Sequence, residues 1–329
     1  MSVPLLRVRG LSVQYATRRP GLRARAGTVT ALDAVNLELA EGRSMGVVGE
    51  SGCGKSTLSR AILGLVEPQA GTVEWRGQLV RRSDAAVLKR MRRELQVVFQ
   101  DPFGSLDPRM TIGESVAEAL DALESIRDPA AAARRIAGSL EEVGLDPSLA
   151  SRYPHELSGG QCQRAAIARA TIVRPRLLIC DEAVSALDVS VQAQIVNLLR
   201  DLSERHGMGL LFISHNLAVV RYLCQEVVVL YRGRLVERGP RDALFAAPLH
   251  PYTRALLAAV PRPVPGAAPW AAPIRAVADP ADLPEAAGCL YRGRCPAADG
   301  MCAREVPALR DADAGHLAAC HHPGATLVG

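Results

Sequence analysis

Nine residues, GESGCGKST from Gly49 to Thr57, place three glycines, a lysine and three hydroxyl side chains at a spacing that suits a phosphate chain. The stretch fits G-x-x-x-x-G-K-[ST]. It follows an apolar run, SMGVVGE, and opens a helical one, KSTLSRAILGL. Strand, glycine loop and helix in that order are the context the motif requires. The glycines let main-chain N–H groups curl around anionic oxygens, and the helix N-terminus adds partial positive charge. Gly49, Glu50, Ser51, Gly52, Cys53, Gly54 and Thr57 are therefore expected to line the cradle. Lys55 is expected to bridge the β- and γ-phosphates, and the Ser56 hydroxyl to ligate Mg²⁺. Cys53, close to that helix N-terminus, is a candidate for a lowered pKa and for alkylation that ATP would block.

A hydrolytic partner set lies downstream. The run RLLICDEA ends in two carboxylates. Asp181 is placed to hold the Mg²⁺, and Glu182 to orient and deprotonate a water. His215 in FISHN and Gln100 in VFQDP also end apolar runs, where one could touch the γ-phosphate and the other sense Mg²⁺ or the water. Taken singly, each has a plainer reading. An acidic pair after a strand is commonplace, and a lone histidine is more often structural. Their weight comes from occurring together.

Elements must hold these groups at one edge. SMGVVGE, LQVVFQ, RLLICDEA, GLLFISHN and EVVVLYRGRLVE read as buried or half-buried strands, with helical patterns between them. Strands alternating with helices argue for an α/β architecture with a largely parallel sheet. Between Ile112 and Gly144 the chain is rich in Ala, Leu and Glu and holds no strand, which suggests a helical insert whose second helix begins at Asp128-Pro129. Nine of the 22 prolines fall between Pro248 and Pro284, marking an extended linker.

The 329 residues suffice for one large domain or two, and 48% hydrophobic with 22% charged residues is ordinary for a soluble globular chain. A net charge of +5 suits an anionic ligand, a membrane surface or nucleic acid and selects none of them. No signal peptide is evident and no run of 18 apolar residues occurs. The nearest approach, ALLAAVPRPVPGAAPWAAPI, carries five prolines. A cytosolic chain with reduced thiols is the expectation.

LSGGQCQR, Leu157 to Arg164, makes the chain resemble the ATP-binding cassette ATPases. Ser158, Gly159, Gly160 and Gln161 open the helix QCQRAAIARA and form a second anion cradle. The ordered set is completed by Tyr15 at the adenine-stacking position and by SALD, Ser185 to Asp188, which the resemblance places at a subunit interface near nucleotide. It implies an α/β fold, a P-loop NTPase cassette with a RecA-like parallel-sheet core. An antiparallel β edge subdomain and a helical subdomain at about 105–170 go with it. The nucleotide-binding domain would cover 1–257, and 258–329 would be a linker with a small cysteine-containing extension. It also implies head-to-tail pairing with a second ATPase subunit, each ATP clamped between the glycine loop of one and the LSGGQ of the other.

Relatives that organise chromosomes or repair DNA insert a long coiled coil or zinc modules between the two cradles, where this chain has a short helical insert; nucleic acid is not an expected partner. Translation-factor relatives carry two motif sets in one chain. VVFQDPFGSLDPRMTIGESV, EAVSALDVSVQAQIVNLLRDL and HPYTRALLAAVP are similar to the oligopeptide/dipeptide importer branch. Two integral membrane permease subunits and an extracytoplasmic binding protein are implied partners, at the cytoplasmic face of the inner membrane. The stretch from Gln100 to Glu114 is the candidate transmission surface. The same branch also serves nickel and oligosaccharide import. Ala183 stands where the branch often has Pro.

Four of the eight cysteines, Cys289, Cys295, Cys302 and Cys320, lie in the tail. Their pattern resembles the branch's C-terminal extension, in some members of which four cysteines hold a [4Fe–4S] cluster. Gaps of five, six and seventeen residues suit zinc badly and also miss the common ferredoxin spacings. Iron–sulfur, zinc and reduced structural thiols all stay open, with His321 and His322 as substitute ligands. A metal staple would suit a segment with few apolar residues.

Overall fold

In a parallel sheet covered on both faces, every strand must be apolar on both sides. Five strands meet that demand: β3 (Ser44–Val48), β6 (Leu95–Val98), β7 (Leu177–Asp181), β8 (Gly209–Ile213) and β9 (Glu226–Tyr231). The computed structural model describes residues 3–17, 27–124, 128–260, 288–313 and 315–324. In it these strands run parallel in the order β9-β3-β8-β7-β6. Consecutive side chains along them enter two different cores. Val47, Ile179 and Leu211 belong to one hydrophobic cluster, and Val48, Cys180 and Phe212 to the other.

The first of those clusters is closed by α1 (Lys55–Ile62) and by an antiparallel sheet of β1 (Leu6–Thr17), β2 (Gly27–Leu39), β4 (Ala70–Trp75) and β5 (Gln78–Leu79), in the order β2-β1-β4-β5. Helix α2 (Ala85–Glu94) follows that sheet and leads into β6. The other cluster is closed by helices. A short turn of helix, α3 (Pro102–Ser105), precedes α4 (Ile112–Leu123), α5 (Pro129–Glu142) and α6 (Gly159–Thr171), with α3, α4 and α5 each packing on α6. Their starts are written locally. Thr111 and Glu114 form a reciprocal capping box ahead of α4, and the Asp128 carboxylate caps α5, which has Pro129 in its first turn. Helices α7 (Val189–His206) and α8 (Leu217–Leu223) complete that side.

The run EVVVLYRGRLVE is a hairpin rather than one strand. It turns at Arg232 and Gly233, both at positive φ (46° and 82°), into β10 (Arg234–Pro240). After α9 (Arg241–Ala246), α10 (Pro251–Ala258) and the short α11 (Gly300–Arg304), the tail forms β11 (Arg310–Asp313) and β12 (His316–Ala318). Strand β12 pairs antiparallel with β10, so the tail extends the central sheet to eight strands.

One buried carboxylate fastens this join. Glu237 of β10 has no solvent exposure; it accepts the N–H groups of Leu249 and His250 at 2.8 Å and lies 2.7 Å from His316 Nε2. Among the described residues no helix is long and apolar enough to cross a membrane. Glu237→Ala strands the buried His250 N–H, the half-buried Leu249 N–H and a histidine. It is expected to cost about 3 kcal/mol of stability and to lower the denaturant midpoint, whereas an unchanged midpoint would remove this carboxylate from the join.

Candidate functional site

The carboxyl ends of β3, β7 and β8 point the same way, and the chemistry-bearing residues follow directly from them. After β3 the chain turns through Gly49, Gly52 and Gly54, all at positive φ. At Gly54 the demand is steric as well as conformational, since a Cβ would sit 2.4 Å from the Ala31 carbonyl oxygen of β2. Helix α1 then begins at Lys55.

Lys55 is only 4% exposed, and its ammonium donates to the carbonyls of Gly49 (2.8 Å) and Glu50 (3.0 Å). Its nearest carboxylate is Glu182, 3.9 Å away. Glu182 in turn lies 3.6 Å from Nδ1 of His215, whose side chain is 59% exposed. Lysine, glutamate and histidine therefore meet around one open point. Glu182 holds a left-handed backbone (φ 52°), unusual for a residue with a Cβ, and is pinned there by its N–H donating to the Ile213 carbonyl at 2.9 Å. The preceding Asp181 is buried and accepts from two hydroxyls of α1, Ser56 (3.1 Å) and Ser59 (2.7 Å). A hydroxyl and a carboxylate side by side can share a hard divalent cation with the phosphates of a nucleotide. The role of Ser59, which holds the second oxygen of Asp181, was not legible in the motif; its place one helical turn after Ser56 is the only sequence signal.

Gln100 lies exposed just beyond β6, and the pairing of Val98 with Cys180 brings it alongside the acidic pair. Tyr15 is exposed on β1 opposite Val29, two residues before the Ala31 carbonyl that abuts Gly54. Both stand at the rim of the same edge. Ser158 to Gln161 do not join them: among the described residues no hydrogen bond or ion pair links this stretch to residues 49–57. Ser158 caps α6, its hydroxyl accepting from the Gln161 N–H at 3.3 Å while the Gln161 side-chain oxygen accepts from the Ser158 N–H at 2.9 Å. Gly160 lies against Val191 of α7, where a Cβ would meet a methyl carbon at 2.7 Å. Asp188 is exposed, with the 84%-exposed Val189 beside it.

Cys53 corrects the expectation of a reactive thiolate. It is buried, and desolvation pushes its pKa up, outweighing the nearby Lys55 ammonium. The thiols of Cys162 and Cys180 are likewise pushed up by burial, to about 11 and about 12.

The four tail cysteines lie near enough for their charges to be felt at Cys295. Burial pushes the Cys295 thiol up to about 11, and the neighbouring Cys320, Cys289 and Cys302 add to that rise. Tetrahedral zinc with Zn–S near 2.3 Å requires sulfurs about 3.8 Å apart. Among the described residues no three of these sulfurs lie within 4.8 Å of one another; the group that does is Asp299, Cys302 and His322. His321 turns elsewhere, onto the Glu305 carbonyl at 3.0 Å. The idea that the tail is too poor in apolar residues to hold itself needs revision. Tyr291 is buried in the larger hydrophobic cluster, with Cys289, Leu290 and Cys295 packed against it.

Comparison with known proteins bears on this arrangement. A family model described as ABC transporter matches residues 32–185, and one described as Oligopeptide/dipeptide transporter, C-terminal region, matches 236–302. The chain is 48% identical over 318 residues to a putative peptide import ATP-binding protein of Brucella ovis, covering 96% of this chain and 97% of that one. It is 43% identical to the oligopeptide transport ATP-binding protein OppF of Haemophilus influenzae, covering 94% of each. Against the Escherichia coli protein of the same name identity is 48%, with 86% and 85% covered. Among solved structures, an ATP-binding cassette determined as a dimer in a post-hydrolysis state with ADP and Pi superposes with a TM-score of 0.63 at 28% identity, covering 72% of this chain and 98% of that one.

Proposed function

The chain belongs to the ATP-binding cassette transporter ATPases, in the group of the oligopeptide and peptide import ATP-binding proteins, and from that premise we propose that it drives uptake of di- or oligopeptides through a membrane permease. It is an ATPase of this family. The observation that carries the mechanism is the meeting of Lys55, Glu182 and His215 beside the Ser56–Asp181 pair. In this reading Gly49 to Thr57 cradle the phosphates and Tyr15 stacks on the adenine. Lys55 trades its loop carbonyls for β- and γ-oxygens, and Ser56, Gln100 and Asp181 hold Mg²⁺. Glu182 takes a proton from the attacking water, with His215 on the γ-phosphate. Little covalent chemistry is asked of the protein; positioning and charge neutralisation carry the reaction.

The separation of Ser158–Gln161 from the glycine loop supports a site completed by a second subunit. Two cassettes would pair head-to-tail, with the exposed Asp188 and Val189 at their contact. Peripheral attachment at the cytoplasmic face follows from this role, with Gln100 to Glu114 facing two permease subunits and an extracytoplasmic binding protein delivering cargo. The nucleotide-binding domain would span 1–257, with its helical part at about 105–170, followed by the linker and extension at 258–329. Much of that linker, 261–287, lies outside the described residues. For the tail we propose a [4Fe–4S] cluster on Cys289, Cys295, Cys302 and Cys320, on the ground of a cysteine spacing that suits zinc badly.

Glu182→Gln is expected to keep ATP binding while slowing turnover about 10²- to 10⁴-fold; near-normal turnover would refute its role as base. Purified with its permease in lipid, the wild-type chain is expected to couple ATP hydrolysis to peptide accumulation, with activity rising steeply as subunits pair. Failure to associate with any integral membrane subunit, or stimulation by nucleic acid instead, would overturn the transport reading. Protein prepared without oxygen is expected to contain iron and acid-labile sulfide in equal amounts, which a quadruple Cys→Ser tail variant loses; stoichiometric zinc without sulfide would exclude the cluster.

A further inference from the structure

Glu50 lies within the glycine loop, yet two of its polar groups are tied to residues more than 200 positions later. Its carboxylate receives both terminal nitrogens of Arg294, Nη1 to Oε2 at 3.1 Å and Nη2 to Oε1 at 3.0 Å. Its main-chain N–H donates to the Tyr252 hydroxyl at 2.8 Å. Its carbonyl accepts from Lys55 and from the Cys53 N–H. The loop is thus held from outside as well as from within.

The outside support has a rigid base. Tyr252 is fully buried, with ring centroids 4.5 Å from Tyr231 and 5.5 Å from Tyr291. Tyr231 and Tyr291 meet edge to face at 5.3 Å, and the Arg294 guanidinium sits 5.6 Å over the Tyr291 ring. Arg294 directly precedes Cys295. Its backbone is fixed by its N–H donating to the Tyr291 carbonyl and, behind that, by the Cys289 N–H donating to the Cys302 carbonyl at 2.8 Å. A two-pronged arginine–carboxylate pair fixes direction as well as distance, which a point charge would not.

We propose that Arg294 is a positioning residue for nucleotide binding: its ion pair to Glu50 holds the glycine loop in the shape that receives ATP, so the cysteine-bearing tail sets nucleotide affinity. Arg294 touches neither phosphate nor metal in this scheme. It acts by sparing the loop a rearrangement when the phosphates arrive, which lowers the cost of binding rather than the barrier to hydrolysis. The side chains are partly exposed, 26% for Arg294 and 43% for Glu50, so screening limits the size of the effect.

The inference rests on reading residues 49–57 as the nucleotide site, and the test separates the two. With the full-length chain, Mg²⁺ and a fluorescent ATP analogue, the wild type binds if that reading holds; no binding overturns it. Arg294→Ala is then expected to raise Kd about three- to tenfold while kcat at saturating ATP shifts less than Kd. Arg294→Lys keeps the charge without the fork and is expected to recover part of the loss. A double-mutant cycle with Arg294→Glu and Glu50→Arg is expected to show compensation, the pair binding ATP more tightly than the summed single changes allow. Unfolding midpoints run alongside identify folded variants. Folded Arg294→Ala with an unchanged Kd, a fall in kcat at unchanged Kd, or strictly additive losses in the cycle would each overturn the proposal.

Discussion

A buried ammonium group must have partners, and that requirement at Lys55 organises the site. The side chain is almost sealed from solvent, so its charge is satisfied by two carbonyls of its own loop and approached by Glu182. Those carbonyls point inward only because the loop curls, and the curl needs positive φ at Gly49, Gly52 and Gly54. An arriving phosphate offers the same ammonium stronger, charged acceptors in place of neutral ones. The closed loop is therefore already shaped around a positive centre that an anion can take over. Asp181, Glu182 and His215 come within 4 Å of Ser56, Lys55 or one another because β8 ends beside β3 and β7 beside β8.

The central sheet and its edge were legible because fully buried parallel strands leave unbroken apolar runs. The caps of α4 and α5 were legible because Thr111–Glu114 and Asp128-Pro129 are local chemistry. What depended on distant neighbours was not. Strands β1 and β2 are half-exposed, and the register shifts between Val8 and Gln14 break the alternation that would betray them. The turn at Arg232 and Gly233 is the exception, a local glycine signal standing between two apolar runs that read as one strand. The fate of Cys53 turned on the competition between a favourable helix end and desolvation, and only packing shows that the second wins. Nothing near Arg294 in the sequence points to Glu50, 244 residues away.

The LSGGQ stretch is built differently from the glycine loop. Its serine and glutamine are spent on capping each other, so Ser158–Gln161 forms a preset helix start and not a flexible loop. Its glycines admit close approach, from Val191 on one side. A capped helix start stands on the helical side and a curled glycine loop on the sheet side, with no hydrogen bond or ion pair between Ser158–Gln161 and residues 49–57 among the described residues.

The sheet itself is extended by the tail, since β12 lies against β10 and His316 meets Glu237. A ribosome makes β3 and its loop some 270 residues before it makes that strand. During synthesis β10 is left with one flank bare and a carboxylate short of its histidine. The central sheet gains its outer strands only once β12 has been made, so a chain that stops before His316 leaves β10 with an open edge.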